Sequence, residues 1–293
     1  NYIWKEFVYF FHRLTLPASL KETMRKILLL ILAIITISCN GQEEIDFKVG
    51  HLPNHDYTLT QKQMSENIIN YIATDEILQS LKNNGVENPT ITKDTVLLKS
   101  ISRTGSLEGN EFPINIELLE SNNPTLVSGT KFFGKSVNQK VKIDSIFSTT
   151  MDNEKKMMLM TAMESMLNQA EYPTRKIKVG ESFKQNSPMS IPIGNVVIEM
   201  EINSTYTLTK VNNGIGHFDL DQIYILKTEI EDYEIKLSGN GNGKIQYDIE
   251  KQFFTKYFLE MEMNLKMDLE PFSIELQTKS ITDQKTEIKK ASR

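Results

Sequence analysis

From residue 259 the chain reads LEMEMNLKMDLE, so that Leu259, Met261, Met263, Leu265, Met267 and Leu269 fall on one side of an extended backbone and Glu260, Glu262, Asn264, Lys266, Asp268 and Glu270 on the other. Side chains alternate between the two faces of a strand, and this run therefore predicts a β-strand with one dry and one wet face. Pro271 interrupts it, and Phe272, Ile274 and Leu276 resume the alternation. Upstream, Val196, Ile198, Met200, Ile202, Ser204, Tyr206 and Leu208 share one side, and Asn212-Asn213-Gly214 supplies a turn into a further strand over 215–226. Runs at 230–238 and 244–250 extend the meander. Strands buried on both faces would be apolar throughout, so the alternation points to antiparallel sheet with one solvated face.

The first half is less regular, with strands expected near 56–64, 94–103, 112–120, 130–136 and 139–147. Thr74 is placed to cap a short helix whose stripe is Ile77, Leu78 and Leu81, with Gly85 ending it. A second helix is expected over 153–170, after Asp152 and before Pro173. The fold class that follows is mainly β within the α+β group. Long curved antiparallel sheet would form a half-barrel or open barrel, with one or two helices packed on its apolar face. Tyr-Thr-Leu-Thr occurs at 57–60 and 206–209, and Lys-Val-Gly at 48–50 and 178–180. A body over 47–290 made of two related halves, 47–150 and 175–290, joined by the helix would account for both repeats. Their offsets disagree, which leaves chance matches in β-prone sequence as the alternative.

The amino-terminal part is a different kind of polypeptide. Met24-Arg25-Lys26 precedes an uninterrupted apolar run from Ile27 to Ile37, then Ser38 and Cys39. A basic segment, a short apolar run and a small residue make a secretory signal, and the run is shorter than the roughly 20 residues a membrane-spanning helix needs. Residues 24–38 are therefore read as the signal peptide and 39–46 as a tether. Residues 1–23, with Trp4, read as an upstream extension of the frame, Met24 being the expected start.

The overall charge of −5, from 33 Lys+Arg against 38 Asp+Glu, changes on this reading. Five basic residues (Lys5, Arg13, Lys21, Arg25, Lys26) and two acidic ones (Glu6, Glu22) lie before Cys39, leaving 28 against 36 in the exported part. With no basic excess, nucleic acid is not an expected partner. One cysteine excludes an intrachain disulfide.

Thr36-Ile37-Ser38-Cys39 resembles the lipobox of bacterial lipoproteins, with Thr36 standing where leucine is usual. The resemblance implies acylation of the Cys39 thiol, cleavage before it, and membrane anchoring through the lipid. Asn40 follows the cysteine, where aspartate would imply retention at the inner membrane, so the implied location is the outer membrane, with the body facing the periplasm or the cell surface. The stretch from Tyr172 to Asp248, with KVGESF, PMSIP, YTLTKV, NNGIGHFDL and GNGNGKIQYD, is similar to an uncharacterised family of bacterial lipoproteins. Long strands enclosing a helix also resemble, in architecture alone, the half-barrels of periplasmic lipoprotein carriers.

The second helix carries Met157, Met158, Met160, Met163 and Met166, and thioethers either fill irregular cores or line adaptable apolar sites. Met157, Met160, Met163 and Leu167, with Met261, Met263 and Met267, are thus expected to line either a core or an apolar-ligand groove. His51 and His55 flank Pro53, which argues against the helical spacing that zinc would need, and His217 has no partner by spacing, so no metal is expected. Gly239-Asn240-Gly241-Asn242-Gly243-Lys244 lacks the spacing and following helix of a phosphate loop. It is either a glycine turn or an extended strip with bare Cα atoms on one face, where the sheet bends or something lies against it. Asp219, Asp221, Glu229, Glu231 and Asp232 read as a solvated face rather than a paired-carboxylate site.

No nucleophile and base constellation appears, and no cofactor is implied. The expectation is a non-enzymatic binding module of the cell envelope, with an apolar small molecule or an envelope protein as partner. A structural or protein-interaction lipoprotein is the alternative, and an envelope glycan hydrolase the weakest reading.

Overall fold

A computed structural model describes residues 44–124, 126–138, 140–168, 171–193, 196–227 and 234–291. The signal segment, Cys39 and the first residues of the tether lie outside the described residues. The elements in chain order are β1 (Glu44–Phe47), β2 (His55–Ile72), α1 (Asp75–Asn83), β3 (Thr90–Thr104), β4 (Glu111–Ser121), β5 (Lys131–Val137), β6 (Lys140–Phe147), α2 (Asn153–Asn168), β7 (Arg175–Lys178), β8 (Ser182–Ile193), β9 (Val196–Asn212), β10 (Ile215–Leu226), β11 (Glu234–Asp248), β12 (Phe253–Leu269) and β13 (Phe272–Lys290).

Eleven strands form one antiparallel sheet in the order β6-β5-β4-β3-β2-β13-β12-β11-β10-β9-β8, which ends in two unpaired edges and so does not close. The protein is mainly β, an open sheet with two helices, as the alternation requires. Sheet neighbours are consecutive in the chain except at the centre, where β2 pairs with β13 from His55↔Lys290 to Ile72↔Ser273, joining the first and last strands of this sheet. At Asn213 (φ 51°) and Gly214 (φ 75°) both turn residues are left-handed, the conformation a two-residue hairpin needs, and Asn-Gly supplies it between β9 and β10.

Three differences from the sequence reading have physical reasons. Residues 230–238 and 244–250 do not make two strands, because β11 runs unbroken from Glu234 to Asp248 through all three glycines. The extended alternative is therefore the correct one. Second, β1 pairs with β7 in a two-stranded sheet of its own, with Ile45, Phe47 and Ile177 almost fully buried. Residues 44–46 thus belong to the folded body rather than to the tether. Third, β2 and β13 are far longer than their apolar alternation, because the inward positions of their central parts are polar.

The cores sit towards the two ends of the sheet. One gathers Ile114, Ile116, Leu118, Phe132, Val141 and Ile143 under Met163 of α2. On the other side of the centre, Phe183, Tyr206, Leu208, Phe218, Leu220, Ile245 and Tyr247 pack with β1 and β7. A third cluster joins Ile198, Met200, Tyr224, Met263, Leu265 and Met267. Between them Tyr57 is the one buried residue of β2, although β2 lies at the middle of the sheet.

Helix α2 begins on Asp152, whose carboxylate accepts from the Lys155 N–H at 2.8 Å, a first-turn cap. Its C-terminal half closes the free edge of β6. The Asn168 amide accepts from the Val141 N–H (2.9 Å) and donates to the Val141 carbonyl (2.7 Å), and Glu164 accepts from the Ile143 N–H (3.2 Å). An exposed edge is a template for pairing with another chain, and here side chains occupy it. At the opposite edge β8 carries Pro188 and Pro192, residues that sheets tolerate at edges.

Candidate functional site

Alternation gives the sheet from β9 to β13 two chemically distinct faces. On the buried face the cross-strand rows pass from apolar to polar and back. Ile235, Met267, Ile274 and Tyr71 form one row, Gly241, Met261, Ser280 and Ser65 another, and Ile245, Tyr257, Gln284 and Gln61 a third. The middle of this face is a belt of uncharged hydrogen-bonding groups. Gln222 donates to Ser204 Oγ (3.0 Å), the Tyr224 hydroxyl donates to Gln222 Oε1 (3.2 Å), and the Tyr206 hydroxyl donates to Gln185 Oε1 (3.1 Å). Burial pushes the Tyr224 phenol up to about 12 and raises those of Tyr206, Tyr172 and Tyr257, so all four stay protonated at neutral pH.

The expected lining residues divide between two cores. Met263 and Met267 are buried with Met200, and Met261 packs partly buried against them. Met163 is buried in the other cluster, with Met160 and Leu167 partly covered beside it. Met157, expected in the lining, is 70% exposed and belongs to neither. The two methionine groups therefore do not share one groove. The helix covers β4–β6 because its chain neighbour β6 is the free edge at that end of the sheet, a fact of topology that the methionine pattern does not carry. Met200 and the Gln222–Tyr224 pair are additions, and the signal for them was present in the alternating run on β9 and in buried polar positions among apolar ones.

The glycines of β11 face the same buried side. A Cβ on Gly243 would stand 2.3 Å from the Phe258 carbonyl oxygen, closer than a side chain allows, and one on Gly239 would make a tight contact of 3.0 Å with that of Glu262. At Gly241 the neighbours are instead the ends of the Leu259 and Gln222 side chains, at 3.1 and 3.2 Å. The bare strip is thus used by the protein itself.

Asn240 and Asn242 point to the opposite, solvated face, where the described residues form two adjoining hollows. One of about 700 Å³ runs from Asn240 and Asn242 past Glu260 and Glu262 to Lys279 and Met64. The other, about 480 Å³, continues from Lys244 and Phe258 to His217, Lys256 and Asp283. They meet where Asn242↔Glu260 and Lys244↔Phe258 are successive same-face pairs, making one trough along β11 and β12. Ion pairs brace its walls: Lys244–Asp219 at 2.7 Å, Lys279–Glu262 at 3.1 Å and Lys93–Glu66 at 2.9 Å. Asn240, Asn242 and Glu260 have no side-chain partner among the described residues. The trough was not legible in the sequence, where its residues read as an ordinary solvated face.

The other candidates fall elsewhere. His51 lies between Tyr57 (4.7 Å) and Phe253 (5.3 Å), and desolvation there lowers its pKa to about 4. His55 Nδ1 is 2.8 Å from the Pro53 carbonyl, and among the described residues no three His, Cys, Asp or Glu side chains gather as a metal site would require. Asp219 is held by Lys244, while Glu229, Glu231 and Asp232 lie outside the described residues. No helix among the described residues is long and apolar enough to cross a membrane.

No family model matches the chain, and no curated protein matches it. Among solved structures the chain is similar to the outer membrane protein OprG from Pseudomonas aeruginosa, at 7% identity over 83% of this chain and 99% of that one, with a TM-score of 0.21. It is also similar to the secretin XcpQ from Pseudomonas aeruginosa, at 7% identity over 90% of this chain and 64% of that one, with a TM-score of 0.14. At these scores neither likeness bears on what this chain does.

Proposed function

We propose that the protein is an exported lipoprotein, anchored in the outer membrane through acyl groups on Cys39, whose β body is a non-enzymatic binding module of the cell envelope. The observation that carries the binding role is the trough on β11 and β12, with unpartnered amide and carboxylate groups beside Phe258. The lipobox resemblance carries the anchor. Two or more acyl chains, at about 0.8 kcal/mol per buried methylene, hold a protein on a bilayer stably.

The binding role is tested by exposing the immobilised full chain to fractionated envelope extract. Saturable retention of one fraction, abolished by Phe258→Ala with Glu260→Lys, supports it. Retention that ignores this pair of substitutions, or none, overturns it. The anchor is tested by labelling cells with an alkynyl palmitate analogue. Cys39→Ser is expected to remove the label and release the chain from the membrane fraction, and a Cys39→Ser chain that stays on the membrane defeats the assignment.

A second reading, an apolar ligand on the buried face, is favoured by Met200, Met261, Met263 and Met267 meeting on a face with no charged side chain on β9–β13. Flexible thioethers can repack around a guest. Native mass spectrometry of the gently extracted protein decides it: a bound amphiphile beyond the acyl groups supports the reading, and its absence sinks it.

A further inference from the structure

We infer that the trough along β11 and β12 binds a neutral oligosaccharide, a conclusion that rests on the binding role proposed above and names its ligand class. Four observations converge on it. The first is charge. Five lysines (93, 210, 244, 256 and 279) stand against five carboxylates (66, 219, 260, 262 and 283) on the trough's side of the sheet, with three of the pairs in direct contact. Such a surface has no net field to concentrate a polyanion or a polycation, whereas mixed donors and acceptors suit hydroxyl groups, each of which both donates and accepts.

The second is the unpartnered set. Asn240 and Asn242 project two residues apart on one face of β11, with Glu260 opposite Asn242. A primary amide and a carboxylate side by side offer the two-point contact that adjacent ring hydroxyls match. Their spacing along a strand, about 6.6 Å for two residues, repeats at a distance that suits successive parts of a chain-like ligand.

The third is Phe258, 36% exposed in the middle of the trough and flanked by Lys244 and Lys256. A partly exposed aromatic ring between charged and amide side chains is an apolar platform, and the C–H face of a sugar ring stacks on such a platform without needing charge. The fourth is what the trough cannot offer. It lies on the face of the sheet, where backbone N–H and C=O groups of β11, β12 and β13 are committed to the ladders. A peptide adding as a strand requires a free edge, so a ligand here is read by side chains alone.

The glycines of β11 relate the trough to the buried face behind it. Gly239 and Gly243 bring β11 down onto β12 on the buried side, and Asn240 and Asn242, between and beside them, are presented on the other. The alternation Gly-Asn-Gly-Asn-Gly thus serves two faces at once.

Affinity electrophoresis of the full chain in detergent, through gels carrying a neutral α-glucan, β-glucan, mannan or galactan, tests the inference, with a polyuronate gel and an unstructured peptide mixture as comparisons. Retardation by at least one neutral polysaccharide is expected, competed by its hexasaccharide. Phe258→Ala and Asn242→Ala are each expected to weaken it tenfold or more. Both side chains face solvent, and an unchanged unfolding midpoint for each variant separates lost binding from lost folding. No retardation by any neutral polysaccharide, retardation indifferent to both variants, or trough-dependent binding of peptides instead overturns it. Failure here with Phe258-dependent retention of an envelope fraction refutes the ligand class alone, and failure of both refutes the binding role as well.

Discussion

Substituting alanine at each glycine of β11 asks whether the close approach of β11 to β12 is real, because the three positions meet three different obstacles. At Gly243 the new methyl group would lie 2.3 Å from the Phe258 carbonyl oxygen, about 1 Å inside ordinary contact. That atom is backbone, and no rotamer change removes it. Relief requires one strand to move off the other, an overpacking cost at the upper end of about 1–3 kcal/mol. Alanine also restricts the unfolded chain and returns about 0.4–1 kcal/mol. The net expectation for Gly243→Ala is a loss of about 2 kcal/mol. With a urea dependence of about 2–3 kcal/mol per molar, that is a fall of about 0.7–1 M in midpoint. Gly239→Ala meets Glu262 O at 3.0 Å and Tyr224 Cδ2 at 3.2 Å, a milder contact expected to cost about 1 kcal/mol. Gly241→Ala meets Leu259 Cδ1 at 3.1 Å and Gln222 Oε1 at 3.2 Å, side-chain ends that need shift by only a few tenths of an ångström, and the change is expected within about 1 kcal/mol of zero. Urea unfolding followed by far-ultraviolet circular dichroism and tyrosine fluorescence gives the order. Gly243→Ala unfolding at the wild-type midpoint, or Gly241→Ala proving the worst of the three, would show that β11 and β12 do not approach so closely at Gly243.

Three further outcomes follow from other parts of the fold. Asn168→Ala removes the amide that pairs both backbone groups of Val141, so a loss of about 1–3 kcal/mol in urea unfolding is expected, with concentration-dependent association in size-exclusion chromatography. Met263→Ala is expected to cost about 2–5 kcal/mol, whereas Met157→Ala, at a 70% exposed site, should stay within about 0.5 kcal/mol; equal effects would place both in one lining after all. His51 is held neutral by its aromatic surroundings, with a pKa of about 4 against 6.5 when unfolded. The unfolded chain therefore binds the extra proton first, and stability present above pH 6.5 is lost as the pH falls towards 4, by up to about 3 kcal/mol. His51→Phe is expected to flatten this limb in acid-unfolding curves, and an unchanged limb would assign it to other groups.

How much was legible in the sequence depended on how many faces each strand buries. On β9 and β12 one face is dry, and the period-2 signal found both strands, though β12 begins at Phe253, six residues before the alternation does. The central parts of β2 and β13 bear Gln61, Gln63, Ser65, Thr278, Ser280 and Thr282 towards the buried side and put the apolar pair Met64 and Ile281 on the other, so the alternation dissolves just where these two strands meet. Strand β8 was hidden for a related reason: Gln185 and Ser187 occupy its inward positions and prolines punctuate it, which an edge tolerates. β1 and β7, at four residues each, are too short to show a period at all.

The class of the fold, the Asn-Gly hairpin and the first turn of α2 on Asp152 were set by the sequence alone, because each shows in the pattern of residues within a few positions of one another. The tertiary structure alone decided that β2 pairs with β13 across the chain, that the methionines of α2 and of β12 stay apart, and that Asn240, Asn242, Glu260 and Phe258 share one trough. Those are matters of register and bending between strands distant in sequence. A glycine whose missing side chain admits a neighbouring backbone looks, in one dimension, no different from a glycine in a turn.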